Sequence, residues 1–597
     1  MKQSRTTALL CAALLTAACA VPAMPAPSAF AEELTAGGFR YEENDGSVCV
    51  TGLTCERDEA PASLTIPKTI EGKPVTEIGY GAFRGYSIRE ILLHDGITKI
   101  GMSAFSSSAI GEIRIPDSVT SLGLSALSGC KNLKSVVLPK NLEYVPRGLC
   151  SGCASLEQIT LPENVQEISP NAFNACTALK SFQIPESVVT IGYEAFADCS
   201  ALSSIKIPDT VKAIGNNAFA GTPWIEAKRK ISPFVCSDSG KVLLDGKACT
   251  GDIVIPDTVE RINEEAFSKN NDLTGVTIPE SVTEFGAAVF AECDALKHVE
   301  LPANLKRVPE TMFAFSEGLE QIKLPDSVQE IGMGVFLECT ALKSVELPDG
   351  LKTIGEGAFL SCEKLEQISF PASVETCGAQ IMGGTPWLAE QREQDPFVRV
   401  NGNLIDAEGL SGSICIPADV HTVCSAAFMD CPDLTDITVP ATVKVLGAGA
   451  FYNCDDLKTL AVLNPECEIK EPETSTEQMY EVTITPQKYS GVLYGDPDST
   501  AQKYAEAHTL QFDALTKGDL DGDHVVNVVD AQSALREYTE LFAGNPASLT
   551  PARTHAADVD RNGSLTVEDA QLILKYYTNN AVAGKAVTWE MLLNGEV

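Results

Sequence analysis

Branched apolar residues followed by proline recur along the chain at a fixed interval. Ile115-Pro116, Leu138-Pro139, Leu161-Pro162, Ile184-Pro185 and Ile207-Pro208 are spaced 23 residues apart. The unit is clearest in Leu179-Lys-Ser-Phe-Gln-Ile-Pro185-Glu-Ser-Val188-Val-Thr-Ile191-Gly192-Tyr-Glu-Ala195-Phe196-Ala-Asp-Cys199, where apolar positions keep fixed offsets and polar ones separate them. The rhythm returns at Pro256, Pro279, Pro302, Pro325, Pro348 and Pro371, and again at Pro417 and Pro440. A period of this length marks a solenoid, in which each coil buries its apolar face only against its neighbours. Within a coil the Leu-x-x-Val/Ile-x-Leu/Ile segment predicts a short strand, closed by a proline that cannot donate to the ladder. The Asp/Glu-Ser pair then turns the chain, the Gly of Ile-Gly is expected to allow the next bend, and Ala-Phe sends a ring inward. Phe290, Phe313, Phe336 and Phe359 keep the register, whereas Leu127 and Cys150 replace the ring, which predicts looser packing in the early coils.

The pattern also sets boundaries. Phe39-Arg-Tyr41 and Val48-Cys-Val50 flank Asn44-Asp45-Gly46, a strong hairpin signal, so residues 32–65 are expected to cap the N-terminal end of a solenoid spanning 66–515. Interruptions near 221–251 and 384–412 both open with Gly-Thr-Pro-Trp and divide the array into three tandem blocks; Trp224 and Trp387 are expected to plug these joints. Past Pro440 the rhythm decays into the acidic loop Glu471-Pro-Glu-Thr-Ser-Thr. A helix follows, with Ser499 and Gln502 at capping-box spacing, then a last strand at Leu510-Gln-Phe512, giving a C-terminal cap near 461–515. The predicted fold is a β-rich solenoid of parallel strands followed by a small all-α domain, 516–597.

Composition narrows the function. A formal net charge of −37 repels phosphates and anionic lipid, which disfavours nucleic acid and favours divalent cations. Residues 1–31 carry Lys2 and Arg5, an apolar run from Ala8 to Leu15, and Ala29-Phe30-Ala31 before Glu32, the features of a secretory signal peptide cleaved near Ala31. No later apolar run reaches the ~20 residues a membrane span needs. The expected product is a secreted, extracellular monomer without membrane insertion. Cys130, Cys153, Cys176 and Cys199 share one repeat slot, as do Cys293, Cys339, Cys362, Cys431 and Cys454. Side chains stacked on coils ~4.8 Å apart lie farther apart than a relaxed disulfide prefers, so these thiols read as small apolar fillers. Cys236 with Cys249, and Cys49 with Cys55, lie outside the ladder, and their redox state stays open.

The repeat itself, with Leu-x-x-Ile/Val-x-Leu/Ile-Pro, Val-x-x-Ile-Gly and Ala-Phe-x-x-Cys over roughly 36–515, resembles the leucine-rich repeats of BspA-type (Treponema-type) bacterial surface proteins. The resemblance implies a curved solenoid with a parallel sheet on its concave side, and adhesion or protein binding as the role.

Chemistry concentrates at the C-terminus. Asp519, Asp521, Asp523, Asn527 and Asp530 place oxygen donors at positions 1, 3, 5, 9 and 12 of a loop, with the Val525 carbonyl at position 7. Calcium needs that spacing, because a 12-residue loop wraps the ion with alternate side chains and one carbonyl inward. Asp558, Asp560, Asn562, Ser564, Thr566 and Asp569 repeat the pattern, so two ions are expected. Each loop runs into a helix opening Asp-Ala-Gln, and no entering helix is expected. His524 takes position 6, where glycine usually adopts a left-handed turn, which predicts a weakened first site.

This duplicated loop-helix resembles the type I dockerin of cellulosomal proteins. The resemblance implies calcium and a cohesin module on a scaffolding protein as partner. In that family partner choice is read at loop positions 10 and 11 and on the following helix, here Val528, Val529, Leu535 and Arg536 in the first copy and Val567, Glu568, Leu574 and Lys575 in the second. The chain lacks Gly-x-Ser-x-Gly, His-Glu-x-x-His and phosphate-binding glycine loops. The function expected is therefore a non-catalytic interaction protein, tethered by its dockerin, whose repeats bind a protein or cell-surface ligand. The alternatives are a dockerin-borne hydrolase of plant polysaccharide or peptide, and a free surface adhesin.

Overall fold

The structure, a computed structural model, describes residues 34–215, 217–237, 239–471 and 491–596. Residues 1–31, expected to be a signal peptide, and all but Glu471 of the acidic loop lie outside the described residues. Two compact units are formed, residues 23–328 with 335–345, and residues 329–334 with 346–597.

In the first unit most coils contribute two short strands, which pair in parallel with those of neighbouring coils in several separate sheets. Ser63–Thr65, Glu90–Leu92, Glu112–Arg114, Ser135–Val137 and Gln158–Ile159 form one sheet. Tyr144–Val145, Glu167–Ile168, Thr190–Ile191 and Ala213–Ile214 form another. The repeat length is the register: Ser135 pairs with Gln158 and Glu167 with Thr190. Strands are exposed-buried-exposed, as in Ser181–Gln183, so the central side chain alone enters the core. At the N-terminal edge, Phe39–Asn44 and Ser47–Leu53 pair antiparallel around Asp45 and Gly46, and the second of these strands continues the parallel sheet through Lys73–Ile78.

The inward phenylalanines stack, with centroids 5.1 to 5.8 Å apart through Phe267, Phe290, Phe313 and Phe336. Leu127 and Cys150, where looser packing is expected, are both fully buried. The role expected of the Ile-Gly glycine is corrected. Gly123, Gly192 and Gly215 do not have left-handed φ; a Cβ there would lie 2.3 to 2.4 Å from the backbone of the preceding coil. Close approach of coils, rather than a bend, demands glycine. The left-handed positions fall elsewhere, as at Glu194 and Asp198 in one coil.

The described cysteines are free thiols. In the ladder slot the thiol donates to a carbonyl 26 residues back: Cys153 to Leu127, Cys176 to Cys150, Cys199 to Phe173 and Cys339 to Phe313, at 3.0 to 3.2 Å. Serine after the strand-ending proline also reaches the preceding coil, as from Ser187 to the Val165 carbonyl at 2.6 Å.

Each interruption contains a helix that hydrophobic pattern does not reveal, α1 (Pro223–Ile231) in the first unit and α2 (Pro386–Gln394) in the second. Thr222 and Thr385 cap them by accepting from Ile225 and Leu388, and proline sits at the first helical position of each. Trp224 is buried edge-on to Phe219 at 5.0 Å, while Trp387 is half-buried against Phe370.

In the second unit, Gly412–Cys415, Leu434–Val439, Thr459–Val462, Val492–Gly495 and Gln511–Ala514 form a parallel sheet. Between its last two strands lies α3 (Thr500–His508). Ser499 accepts from the Gln502 N–H at 3.3 Å, but the Gln502 side chain turns to Asp498, so only half of the capping box forms. Further α-helices among the described residues are α4 (Val528–Phe542), α5 (Pro551–Ala557), α6 (Val567–Tyr577) and α7 (Trp589–Leu593). Helix α5 corrects the expectation of no entering helix: Thr550-Pro551 nucleates a short helix that runs into the second loop, whereas a strand precedes the first.

Candidate metal centre

The two loop-helix copies, 39 residues apart, fold face to face. Leu520 and Val559, Ala531 and Ala570, and Ala534 and Ile573 are equivalent pairs that share one buried cluster with Ala557 and Leu565. Neither copy could bury its apolar stripe alone, so duplication is what makes the module a core.

That packing presents two acidic loops. Carboxylate oxygens of Asp519, Asp521 and Asp523 lie within 4.8 Å of one another, as do those of Asp558, Asp560 and Asp569. Asp530 is not part of the first group, although the sequence pairs it with Asp569. Backbone N–H groups pre-shape both loops. Asp519 accepts from Gly522 at 2.7 Å and His524 at 3.0 Å; Asp558 accepts from Asn562 at 3.1 Å and Gly563 at 2.8 Å. At position 12, Asp530 accepts from Leu520 and Asn527, both at 2.8 Å. Asp569 accepts from Val559, Thr566 N–H and the Thr566 hydroxyl at 2.8 to 3.0 Å, with Asp560 at 3.4 Å. Asn527 and Thr566 thereby form capping boxes with these aspartates at the starts of α4 and α6. The side-chain oxygen of Asn562 accepts from Ser564, and the Val525 carbonyl accepts from the Asn527 amide.

Asp519, Asp530 and Asp569 are fully buried. Burial pushes the Asp530 and Asp558 carboxyls up, against the backbone donors that favour their charged forms. Clustered carboxylates, buried at Asp519, Asp558 and Asp569 and exposed at Asp521 and Asp523, suit a hard divalent cation, and the donor set is all oxygen. His524 adopts φ +62° and occupies the left-handed position that Gly563 takes at +87°; at position 4 the roles reverse, with Gly522 at +82° and Arg561 at +59°. The His524 ring lies 3.4 Å from Asp513.

The residues singled out for partner choice lie on the surface. Val528, Val529, Leu535, Arg536, Glu568, Leu574 and Lys575 are exposed, and Val567 is half-buried. Leu535 and Leu574, equivalent in the two copies, are 43% and 45% exposed. Among the described residues, nine of the sixteen exposed large apolar side chains fall within 516–597, a concentration expected of a docking module. Residues that sequence reasoning passed over are Arg561, His555 and Asp496, which meet behind the second loop, and Trp589, stacked on Tyr576 at 4.2 Å. No local motif marks them, because their partners are distant in the chain.

The family model for the BspA type leucine rich repeat region matches residues 62–180, 166–231, 245–340, 311–384 and 407–486. That for the dockerin type I domain matches 517–577. Both are non-catalytic modules, and dockerins of this type bind calcium and cohesin. Similar solved structures include a leucine rich cell surface protein from Faecalibacterium prausnitzii A2-165, 27% identical, covering 57% of this chain and 94% of that one at a TM-score of 0.34. A leucine-rich repeat protein from Bacteroides ovatus ATCC 8483 is 20% identical, covering 75% and 100% at 0.23. One from Eubacterium ventriosum ATCC 27560 is 20% identical, covering 59% and 94% at 0.32. No curated protein matches the chain. No described helix is long and apolar enough to cross a membrane.

Proposed function

We propose that this chain, which belongs to the BspA type leucine rich repeat family and ends in a dockerin type I domain, is a secreted, non-catalytic interaction protein held on a cellulosomal scaffold by calcium-dependent binding of that domain to a cohesin module. The duplicated acidic loop, each copy leading into a helix with an exposed leucine, is the observation that carries this reading.

Asp519, Asp521, Asp523, Asn527, Asp530 and the Val525 carbonyl would hold one calcium; Asp558, Asp560, Asn562, Thr566, Asp569 and the Ser564 carbonyl would hold the second. Calcium supplies the positive charge that lets these carboxylates share a loop, coupling ion binding to folding. The chain's own part is to present Val528, Val529, Leu535 and Arg536 on one helix and Val567, Glu568, Leu574 and Lys575 on the other. Leucine beside a cation gives each face an apolar anchor with a charged rim. The repeats then supply the ligand surface. Exposed strand residues such as Ser181 and Gln183, His298 and Glu300, and Gln321 and Lys323 are polar and mixed in charge. Such a surface suits a protein ligand better than a sugar, which needs aromatic faces.

Retention of the full chain by a panel of immobilised cohesins, with calcium and with chelator, tests the attachment. Capture by at least one cohesin, lost in chelator, is expected; no capture in calcium would overturn it.

A further inference from the structure

The domain that carries the acidic loops is not joined to the repeats by a free linker. The Leu515 N–H donates to the Gly495 carbonyl at 2.7 Å on the repeat side, and the Gly518 N–H to Ala556 at 2.8 Å on the dockerin side. Leu515 is fully buried with Ala461, Leu463 and Ala552, against half-buried Tyr494. Strands of the repeat array and helix α5 thus share one small core across the junction.

Four polar contacts extend this junction to the back of the second loop. Asp496, which follows the strand Val492–Gly495, accepts from Arg561 at 2.9 Å and lies 3.3 Å from the His555 ring nitrogen. Arg561 also donates to the His555 carbonyl, and Lys517 donates to the Val559 carbonyl at 3.2 Å. Arg561 is loop position 4. Its φ of +59° is costly for a side chain with a Cβ, and the first loop meets the same requirement with Gly522. At position 4 it is therefore the second loop that carries the strained side chain, and Asp496 is the repeat-side group that holds it; the first loop has its left-handed side chain at position 6, where His524 faces Asp513. Burial alone would raise the Asp496 pKa, but His555, Arg561 and Lys517 together hold it below the ordinary carboxyl range, as expected of a formed ion pair.

We infer that Asp496 of the repeat array is a positioning residue for the second calcium loop, latching Arg561 so that ion affinity there depends on the docked repeats. This rests on the calcium reading of the loops given above. The latch leaves Leu535 and Leu574 exposed, so a cohesin could approach either face of a domain that is held rigidly.

The test is calcium titration calorimetry on the full chain with the first loop silenced by Asp521→Ala and Asp523→Ala. In this parent, Asp496→Ala is expected to weaken calcium binding about tenfold, the scale of releasing one left-handed residue. Arg561→Gly should bind as tightly as the parent and be insensitive to a second Asp496→Ala substitution, because glycine adopts position 4 unaided. At saturating calcium, trypsin should cut after Lys517 faster in the Asp496→Ala chain than in the parent. An Asp496→Ala chain that binds within twofold of the parent, or that loses as much in the Arg561→Gly background, would overturn the latch while leaving the calcium loops intact. A parent that binds no calcium would overturn both.

Discussion

Removing the position-12 carboxylate should hurt the second loop more than the first. Asp530 and Asp569 are both fully buried, so the desolvation cost relieved by alanine is similar and largely cancels in the comparison. Each also forfeits one oxygen for the ion. What differs is the number of donors left without a partner. Asp530→Ala orphans the N–H groups of Leu520 and Asn527. Asp569→Ala orphans those of Val559 and Thr566 and the Thr566 hydroxyl, besides the longer contact from Asp560. One additional charge-assisted hydrogen bond contributes roughly 1.5–3 kcal/mol, which is the extra destabilisation expected of Asp569→Ala. Urea unfolding at saturating calcium, followed through the Trp589–Tyr576 stack in a chain carrying Trp224→Phe and Trp387→Phe, reads the dockerin alone. Equal losses, or a larger loss from Asp530→Ala, would refute the donor-count reasoning and with it the view that the second loop is the better-built site.

Three further outcomes are expected. Leu535→Asp or Leu574→Asp alone should leave cohesin capture measurable, and the two together should abolish it; loss from either single substitution would show that one face does all the binding. Burial pushes the thiols of Cys293 and Cys339 up to about 12, so both should resist alkylation at neutral pH until the chain unfolds, while exposed Cys415 reacts first; native-state labelling of Cys339, read by mass spectrometry, would contradict this. Because the Asp496 pKa is depressed on folding, its contribution to the latch is complete above the ordinary carboxyl range and is lost as pH falls through the lowered value. Tryptic protection at Lys517 should survive exposure at pH 5 and fail only below the ordinary carboxyl range.

What the sequence determined by itself is whatever repeats or is local. The 23-residue interval fixed the coil, since register in a solenoid is the repeat length, and the inward phenylalanines and ladder thiols follow from constant offsets. Asp519 to Asp530 and Asp558 to Asp569 could be read because loop chelation is set by spacing within twelve residues. Helices α1, α2 and α5 were legible in principle from Thr-Pro at their starts, but their short apolar faces gave no period to detect. Asp569 has one donor more than Asp530 because Thr566, three residues before it, carries a hydroxyl, a local difference from Asn527. Tertiary structure alone decided two things. Gly192 is required by the backbone of the coil before it, a contact made by residues far apart in the chain. Asp496 meets Arg561 across 65 residues, and no local pattern encodes a partner that only packing brings within hydrogen-bond distance.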